Sequence, residues 1–318
     1  MKTCFLLVCR STCADSLDLW ALTAGGAVDI MRIPMAGSKP ARTVATPLTV
    51  NRALALSGLV SFEAKVLLAH LLATDRAWLA AHGDATLTIE QAKSFDALAR
   101  RRREGVPIAY LTGRREFYGL DLEITADVLI PRPESEILVD FALAKIGEAE
   151  AARVLDLGSG SGAVALAIAK ARPASRVLGV DLSSAASALA RRNARRLQIA
   201  NVEFIDSDWF ERVPPGEFDL IVANPPYVAD GDPHLAQDDL RYEPAIALNG
   251  GVDGLAAIRR IVDGASGYMK PGGWLAIEHG HDQAGSVQAL LRAAGFEAVN
   301  TQRDLAGVLR TTSARHPA

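Results

Sequence analysis

The sequence predicts an α/β protein in which a seven-stranded, mostly parallel sheet follows a small N-terminal helical domain and a β-hairpin linker. Three observations predict it. Short apolar runs at 153–157, 176–181, 202–206, 218–223 and 274–278 alternate with helical stretches, the pattern of strands joined by crossover helices. A glycine-rich turn, Gly158-Ser159-Gly160-Ser161-Gly162, stands between the first run and its helix. Residues 48–104 carry only the helical period, with no strand-like run among them.

The elements follow in order. Residues 1–34 show no period that continues into the chain, and Phe5-Leu6-Leu7-Val8 is too short for a convincing export signal, so an upstream extension before Met31 or Met35 is expected. Residues 35–106 form the helical domain, with helices at 48–56, 61–72, 74–81 and 89–104. Thr49, Ser61 and Thr88 or Thr86 are the N-cap candidates, and Val66, Leu67, Leu71 and Leu72 the core positions. The linker, 107–136, holds the alternating run Phe117–Ile124 and then Val128–Ile130, read as a hairpin, and Arg132 and Glu134 are expected to orient the domains or touch substrate. The larger domain, 137–318, places helices at 164–171, 183–197, 255–269 and 282–293. It closes with strands at 295–299 and 307–311, the last antiparallel.

In such a sheet ligands sit outside the carboxyl ends of the strands, and four ends offer groups there. The glycine turn lets a ligand approach the backbone, and Asp181 ends the next strand as an acceptor for two ribose hydroxyls. Gly158, Gly160 and Ala163 also satisfy a dinucleotide fingerprint, so the turn alone does not choose the cofactor. Trp209 beside Asp208 suits an adenine slot. The fourth end carries Asn224-Pro225-Pro226-Tyr227. Its prolines stiffen the chain and donate no N–H, so the side-chain oxygen of Asn224 and the carbonyl of Pro225 can accept the two hydrogens of a planar NH2 group. The Tyr227 ring is expected to stack on that flat group and fix its tilt. The tetrapeptide thus reads as a methyl-transfer site for a planar nitrogen, a chemistry with no place in a dinucleotide enzyme.

From about Pro107 onward the chain resembles the class I S-adenosylmethionine-dependent methyltransferases that act on the glutamine side-chain amide of peptide chain release factors. The resemblance rests on Asn224–Tyr227, on Leu129-Ile130-Pro131-Arg132-Pro133-Glu134-Ser135-Glu136, on Tyr242-Glu243-Pro244 and on Asp304-Leu305-Ala306-Gly307. Ser135 stands where the family usually has threonine. The resemblance implies a Rossmann-like methyltransferase sheet and S-adenosyl-L-methionine as cofactor. It implies that Gly158, Ser159, Gly160, Ser161, Gly162, Asp181, Trp209 and Asn224 line that cofactor, and that Asn224, Pro225, Pro226 and Tyr227 hold the glutamine of a Gly-Gly-Gln motif, a modification that modulates translation termination. Asn-Pro-Pro-Tyr also occurs in enzymes that methylate DNA adenine or rRNA guanine, so a ribosomal-protein glutamine or an exocyclic amine of DNA or RNA remains an alternative.

Bulk properties agree with a cytoplasmic enzyme, expected as a monomer. The 318 residues carry a formal net charge of -3, and an acidic balance argues against nucleic-acid binding as the main task. Arg100–Arg103 and Arg191, Arg192, Arg195 and Arg196 read as solvated helix faces. The three cysteines, Cys4, Cys9 and Cys13, require no oxidising compartment, and no apolar run is long enough for a membrane span. His279 and His281 flank Gly280 after the fifth strand, but Glu278 is expected on the opposite face, so no metal site is expected.

Overall fold

Side-chain caps start three of the first helices in the computed structural model, which describes residues 47–148, 151–233 and 238–318. Thr49 caps α1 (Val50–Leu56) and Asp75 caps α3 (Arg76–Ala81). Thr88 and Gln91 close a reciprocal capping box on α4 (Ile89–Arg103), satisfying two otherwise orphaned N–H groups. Ser61, an expected cap, is instead the first residue of α2 (Ser61–Leu71), whose N-cap is Val60 with no side-chain bond. Where the linker was expected to begin there is a further short helix, α5 (Ile108–Thr112). Together these helices bury Leu67, Leu68, Leu79, Phe95 and Leu111, while Val66, Leu71 and Leu72 are half-buried. The segment before Pro47, with its cysteines and the expected extension, lies outside the described residues; Pro47–Ala318 form one compact unit.

The hairpin is shorter and earlier than the alternation suggests. Strands β1 (Arg114–Phe117) and β2 (Leu120–Glu123) pair antiparallel around Tyr118 and Gly119, both at positive φ (49° and 72°), as a two-residue primed turn demands. The alternating run is therefore broken by the turn, and Val128–Ile130 is irregular chain with Val128 and Ile130 buried. Phe117, Leu120, Leu122 and Ile124 enter the main core, packed with α6 (Glu136–Lys145), a helix for which the sequence shows no distinct period.

The main sheet is built from β3 (Arg153–Leu157), β4 (Arg176–Asp181), β5 (Val202–Asp206), β6 (Phe218–Ala223), β7 (Met269–Glu278), β8 (Glu297–Arg303) and β9 (Leu309–Arg315). Among the described residues their order is β5-β4-β3-β6-β7-β9-β8, parallel throughout except for β9, as expected for the last strand. Helices α7 (Ala163–Ala171), α8 (Ser184–Arg196), α9 (Ala256–Ala265) and α10 (Ala284–Ala293) connect the strands. Burial on both faces explains why β3 and β6 read as continuous apolar runs: Val154, Leu220 and Val222 enter one core, and Leu155, Leu157, Ile221 and Ala223 the other. Pro271-Gly272-Gly273 lies inside β7, at a register shift between its pairings Phe218–Met269 and Leu220–Trp274. Strands β8 and β9 begin two residues later than the runs expected for them.

The arginine clusters are more than solvated faces. Arg102 pairs with Glu63 at 2.7 Å and Asp239 at 2.8 Å, and Arg103 donates to the carbonyl of Ser57. On α8, Arg192 pairs with Glu123 and Arg196 with Asp121, fixing the hairpin to the sheet domain. Between them the buried Asn193 accepts from the Glu123 N–H (2.8 Å) and donates to the carbonyls of Glu123 and Ser161, both at 3.0 Å. Asn193→Ala leaves three backbone groups without that partner at a buried position. The expected loss of unfolding free energy is about 1–3 kcal/mol, read as a lower denaturant midpoint at unchanged m; an unchanged midpoint contradicts this role.

Candidate active site

Strand order reverses beside β3, with β4 and β5 to one side and β6 and β7 to the other. The loops leaving β3 and β6 diverge there and open a crevice at the carboxyl edge of the sheet. It encloses about 340 Å³, the size of a small-molecule site.

The strand β3 exits into the glycine turn. Gly158 and Gly160 sit at φ +74° and +54°, where side chains are rarely tolerated, and a Cβ on Gly160 would meet no protein atom within 4 Å because it opens onto the crevice. Gly162 does not share that role. It lies in the left-handed region at the start of α7, and a Cβ there would come within 2.9 Å of the Phe204 ring, so its hydrogen is needed for packing. The Ser159 hydroxyl, buried at the crevice wall, has no hydrogen-bond partner.

Asp181, at the end of β4, accepts the Gly160 N–H through Oδ2 and the Ser183 N–H through Oδ1, both at 2.8 Å. It thus latches the glycine turn, and each oxygen keeps lone-pair capacity for a ligand hydroxyl. Burial pushes its pKa up while the two N–H groups oppose that shift. Asp156, within β3, lines the crevice too, a place its apolar neighbours in sequence do not announce. It is 2% exposed and accepts the Ala165 N–H of α7 at 3.1 Å. Burial raises its carboxyl to about 7, with the charge of Asp181 adding to the rise. Trp209 lines the crevice at φ 49°, its carbonyl fixed by the Ser207 hydroxyl at 2.9 Å and its ring beside Gly158. Leu182 and Ile246 add exposed apolar surface at the mouth. An acceptor at the second strand end, an open glycine backbone, an unpaired hydroxyl and apolar walls match the ribose, polar and adenine parts of S-adenosylmethionine.

At the β6 exit Asn224 and Pro226 line the crevice, and Pro225 is buried. Asn224 Nδ2 donates to Ser135 Oγ at 2.9 Å, and Ser135 Oγ donates to Glu278 Oε2 at 2.6 Å. The Tyr227 hydroxyl donates to Glu278 Oε1 at 3.3 Å, and its backbone carbonyl accepts from Gln283 at 3.0 Å. Glu278 thus lies on the side opposite the histidine that follows it, as the alternation predicts. As the last residue of β7 it turns into the site, and burial raises its carboxyl to about 7. The neighbouring histidine is the one directed elsewhere: His279 is buried, with its ring nitrogens at 2.8 Å from the Gly280 carbonyl and the Thr312 hydroxyl. Among the described residues no cluster of three or more His, Cys, Asp or Glu side chains is arranged to hold a metal ion.

Arg132 pairs with Glu243 at 2.5 Å, not with Glu134, and the Glu243 side chain has no exposure. The motif before α6 is thereby tied to the Tyr242-Glu243-Pro244 segment, whose continuation through Ile246, Ala247 and Asn249 forms one wall of the crevice. Neither Ser135 nor Glu278 announces itself in sequence, since they lie 143 residues apart; the one available signal is the hydroxyl in the Ile130–Glu136 motif.

A doubly wound sheet with a glycine turn, an acidic second strand end and an acceptor at the fourth defines a class I S-adenosylmethionine-dependent methyltransferase. Residues 134–240 match the methyltransferase small domain model and residues 52–113 the PrmC N-terminal domain model. A release factor glutamine methyltransferase of Xylella fastidiosa is 49% identical over 255 residues, 80% of this chain and 93% of the relative. One from Burkholderia pseudomallei is 48% identical over 281 residues, 86% of this chain and 99% of the relative. A solved methyltransferase of Pyrococcus furiosus, 21% identical, superposes with a TM-score of 0.50 over 69% of this chain and 98% of that one, a likeness of fold. The chain belongs to the release factor glutamine methyltransferase family.

The raised carboxyls give a stability signature. Asp156 moves from 3.8 to about 7, so its folded form keeps a proton that the unfolded chain releases near pH 4. That stabilisation is complete below pH 4 and is lost as pH rises through about 7. Asp156→Asn, which keeps an acceptor for Ala165, is expected to gain stability relative to the parent as pH is raised from about 5 to about 8. A constant difference in melting temperature across that range contradicts the assignment.

Proposed function

We propose that this enzyme transfers the methyl group of S-adenosylmethionine to the side-chain amide nitrogen of a glutamine in a peptide chain release factor. The observation that carries the reading is Asn224 at the β6 exit, lining the crevice with its Nδ2 engaged by Ser135, so that Oδ1 is the free acceptor. The curated relatives supply the substrate class, since their names specify release factor glutamine and this chain spans 93% and 99% of two of them.

The bound cofactor supplies an electrophilic sulfonium methyl; everything else falls to the chain. An amide nitrogen is a weak nucleophile because its lone pair is delocalised, so it has to be positioned and its hydrogens held as positive charge develops. Asn224 Oδ1 and the Pro225 carbonyl accept hydrogen bonds from the two N–H groups, Pro226 stiffens the turn, and Tyr227 sets the tilt of the amide plane. The sulfur leaves as the neutral thioether when the N–C bond forms, and one N–H proton departs to water after transfer. Asp181, Trp209 and residues 158–161 hold the cofactor, and the domain at 35–106 grips the protein substrate. The reaction belongs in the cytoplasm, where release factors act, with the enzyme as a monomer and no direct nucleic-acid contact. No helix among the described residues is long and apolar enough to cross a membrane.

Methylation assays with labelled cofactor, run in parallel on release factor, ribosomal protein and nucleic acid, test the substrate. Label in release factor alone is expected, and label in nucleic acid alone overturns the reading. Asp181→Ala removes a charged acceptor and is expected to weaken cofactor binding by about 1.5–3 kcal/mol; titration calorimetry showing parent affinity in the folded variant contradicts its role. Asn224→Ala is expected to lower turnover about 10²–10³-fold, as when one preorganised hydrogen bond is lost. Replacing the substrate glutamine by glutamate is expected to cost roughly 10⁴–10⁵-fold, because buried acceptors then go unpaired. Comparable methylation of the glutamate substrate eliminates the amide mechanism.

A further inference from the structure

The two ends of a carboxamide are nearly alike in shape, so packing alone does not decide whether Asn224 shows the crevice its oxygen or its NH2 group. The acceptor role requires the oxygen. The hydrogens along the chain Asn224, Ser135, Glu278 and Tyr227 make that choice.

Glu278 is 1% exposed and Ser135 3%. The 2.6 Å separation of Ser135 Oγ from Glu278 Oε2 is that of a hydroxyl donating to an ionised carboxylate. The other carboxylate oxygen takes the Tyr227 hydroxyl. A serine has one hydrogen. While it is committed to Glu278, Oγ presents only lone pairs to Asn224, and at 2.9 Å only an N–H can satisfy them. The reversed amide would set two oxygens against each other. If Glu278 takes up a proton, it donates to Oγ, the serine hydrogen is released, and either end of Asn224 fits.

We infer that Glu278, acting through Ser135, is a positioning residue whose negative charge holds the Asn224 oxygen toward the substrate nitrogen and so makes the crevice selective for an NH2 donor. This rests on the reading of Asn224 given under Proposed function. The groups facing Glu278 are Glu134 from the turn before α6, which disfavours its charge, and Arg310 on β9, which favours it, besides the hydrogen bonds from Ser135 and Tyr227. Burial outweighs the favourable partners and raises its carboxyl to about 7. The orienting force therefore fades as pH falls through that value.

The test reads the Asn224 side-chain amide by ¹H–¹⁵N NMR in the full chain without substrate, the resonance being identified by its loss in Asn224→Ala. The parent is expected to show a protected amide that shifts with a single midpoint near pH 7. In Ser135→Ala the protection disappears, and Ser135→Thr restores it because the hydroxyl returns. Glu278→Gln keeps an acceptor for Ser135 but cannot ionise, so the titration vanishes. Turnover follows: Ser135→Ala is expected to lower kcat by about 10–100-fold, the scale of losing a group that orients a ligating residue, with KM for release factor and cofactor affinity within about two-fold, and Ser135→Thr recovers most of the loss. An Asn224 resonance unmoved by Ser135→Ala, or titrating as before in Glu278→Gln, overturns the inference. Because the NMR arm needs no substrate, a parent that fails to methylate release factor refutes the functional reading alone, and the Asn224 resonance still decides the role of Glu278.

Discussion

The reversal of strand order beside β3 is the constraint on which the rest of the site depends. A parallel strand flanked by β4 and β6 has its carboxyl-end loop led to one side and that of β6 to the other, so the backbone cannot close over the gap. Everything chemical is hung from that edge: the glycine turn from β3, Asp181 from β4, Trp209 after β5, Asn224 from β6 and Glu278 from β7. The strands stay in register because both faces are buried, which makes a one-residue slip of β3 or β6 costly in either core.

Three carboxylates sit at or near that edge, each withdrawn from water, and each is handled differently. Asp181 has two backbone N–H groups that oppose the rise burial causes, and it remains open to a ligand. Asp156 has one N–H and little else, so burial dominates its pKa. Glu278 has two hydroxyl donors and the distant charge of Arg310, enough to orient it but too little to offset desolvation. An unpaired buried charge is expensive, and such groups cluster at functional sites because the function is what they are kept for.

The parts of the molecule legible in the sequence are those in which neighbouring residues do the work. The strand, glycine turn and helix at 153–171, the acid closing β4 and the Asn224–Tyr227 tetrapeptide are local patterns; Gly158–Ser161, Asp181, Asn224 and Pro226 line the crevice, whereas Gly162 serves packing on Phe204, Pro225 is buried and Tyr227 reaches Glu278. The hairpin turn is hidden because Tyr118 takes a positive φ that the alternation of its neighbours does not advertise. The edge strand β8, Glu297–Arg303, is half exposed and mostly polar, so its bounds carry no apolar signature. Helix α5 has five residues, too few for a period to show. The partners of Asn224 are illegible for a different reason: Ser135 and Glu278 meet across 143 positions, and a contact of that separation belongs to topology, not to any window of sequence.

Arg132 and Arg102 show how the remaining chain is tied to the crevice. A surface ion pair contributes little, but the Glu243 carboxylate is wholly enclosed, so removing Arg132 would leave a buried charge without its counterion. Four residues earlier Asp239 pairs with Arg102, which also holds Glu63 on α2, and the Tyr242 hydroxyl donates to the Glu104 carbonyl at the end of α4. After Glu243 the same segment supplies Ile246, Ala247 and Asn249 to the crevice wall, and Leu248 and Gly250 pair with Val228 just beyond Tyr227. Contacts thus run without a break from α2 through α4 to the turn that carries Asn224. The wall of the crevice is therefore held from the helices on one side and from the β6 exit on the other, by ion pairs and backbone bonds that meet in the single segment 239–250.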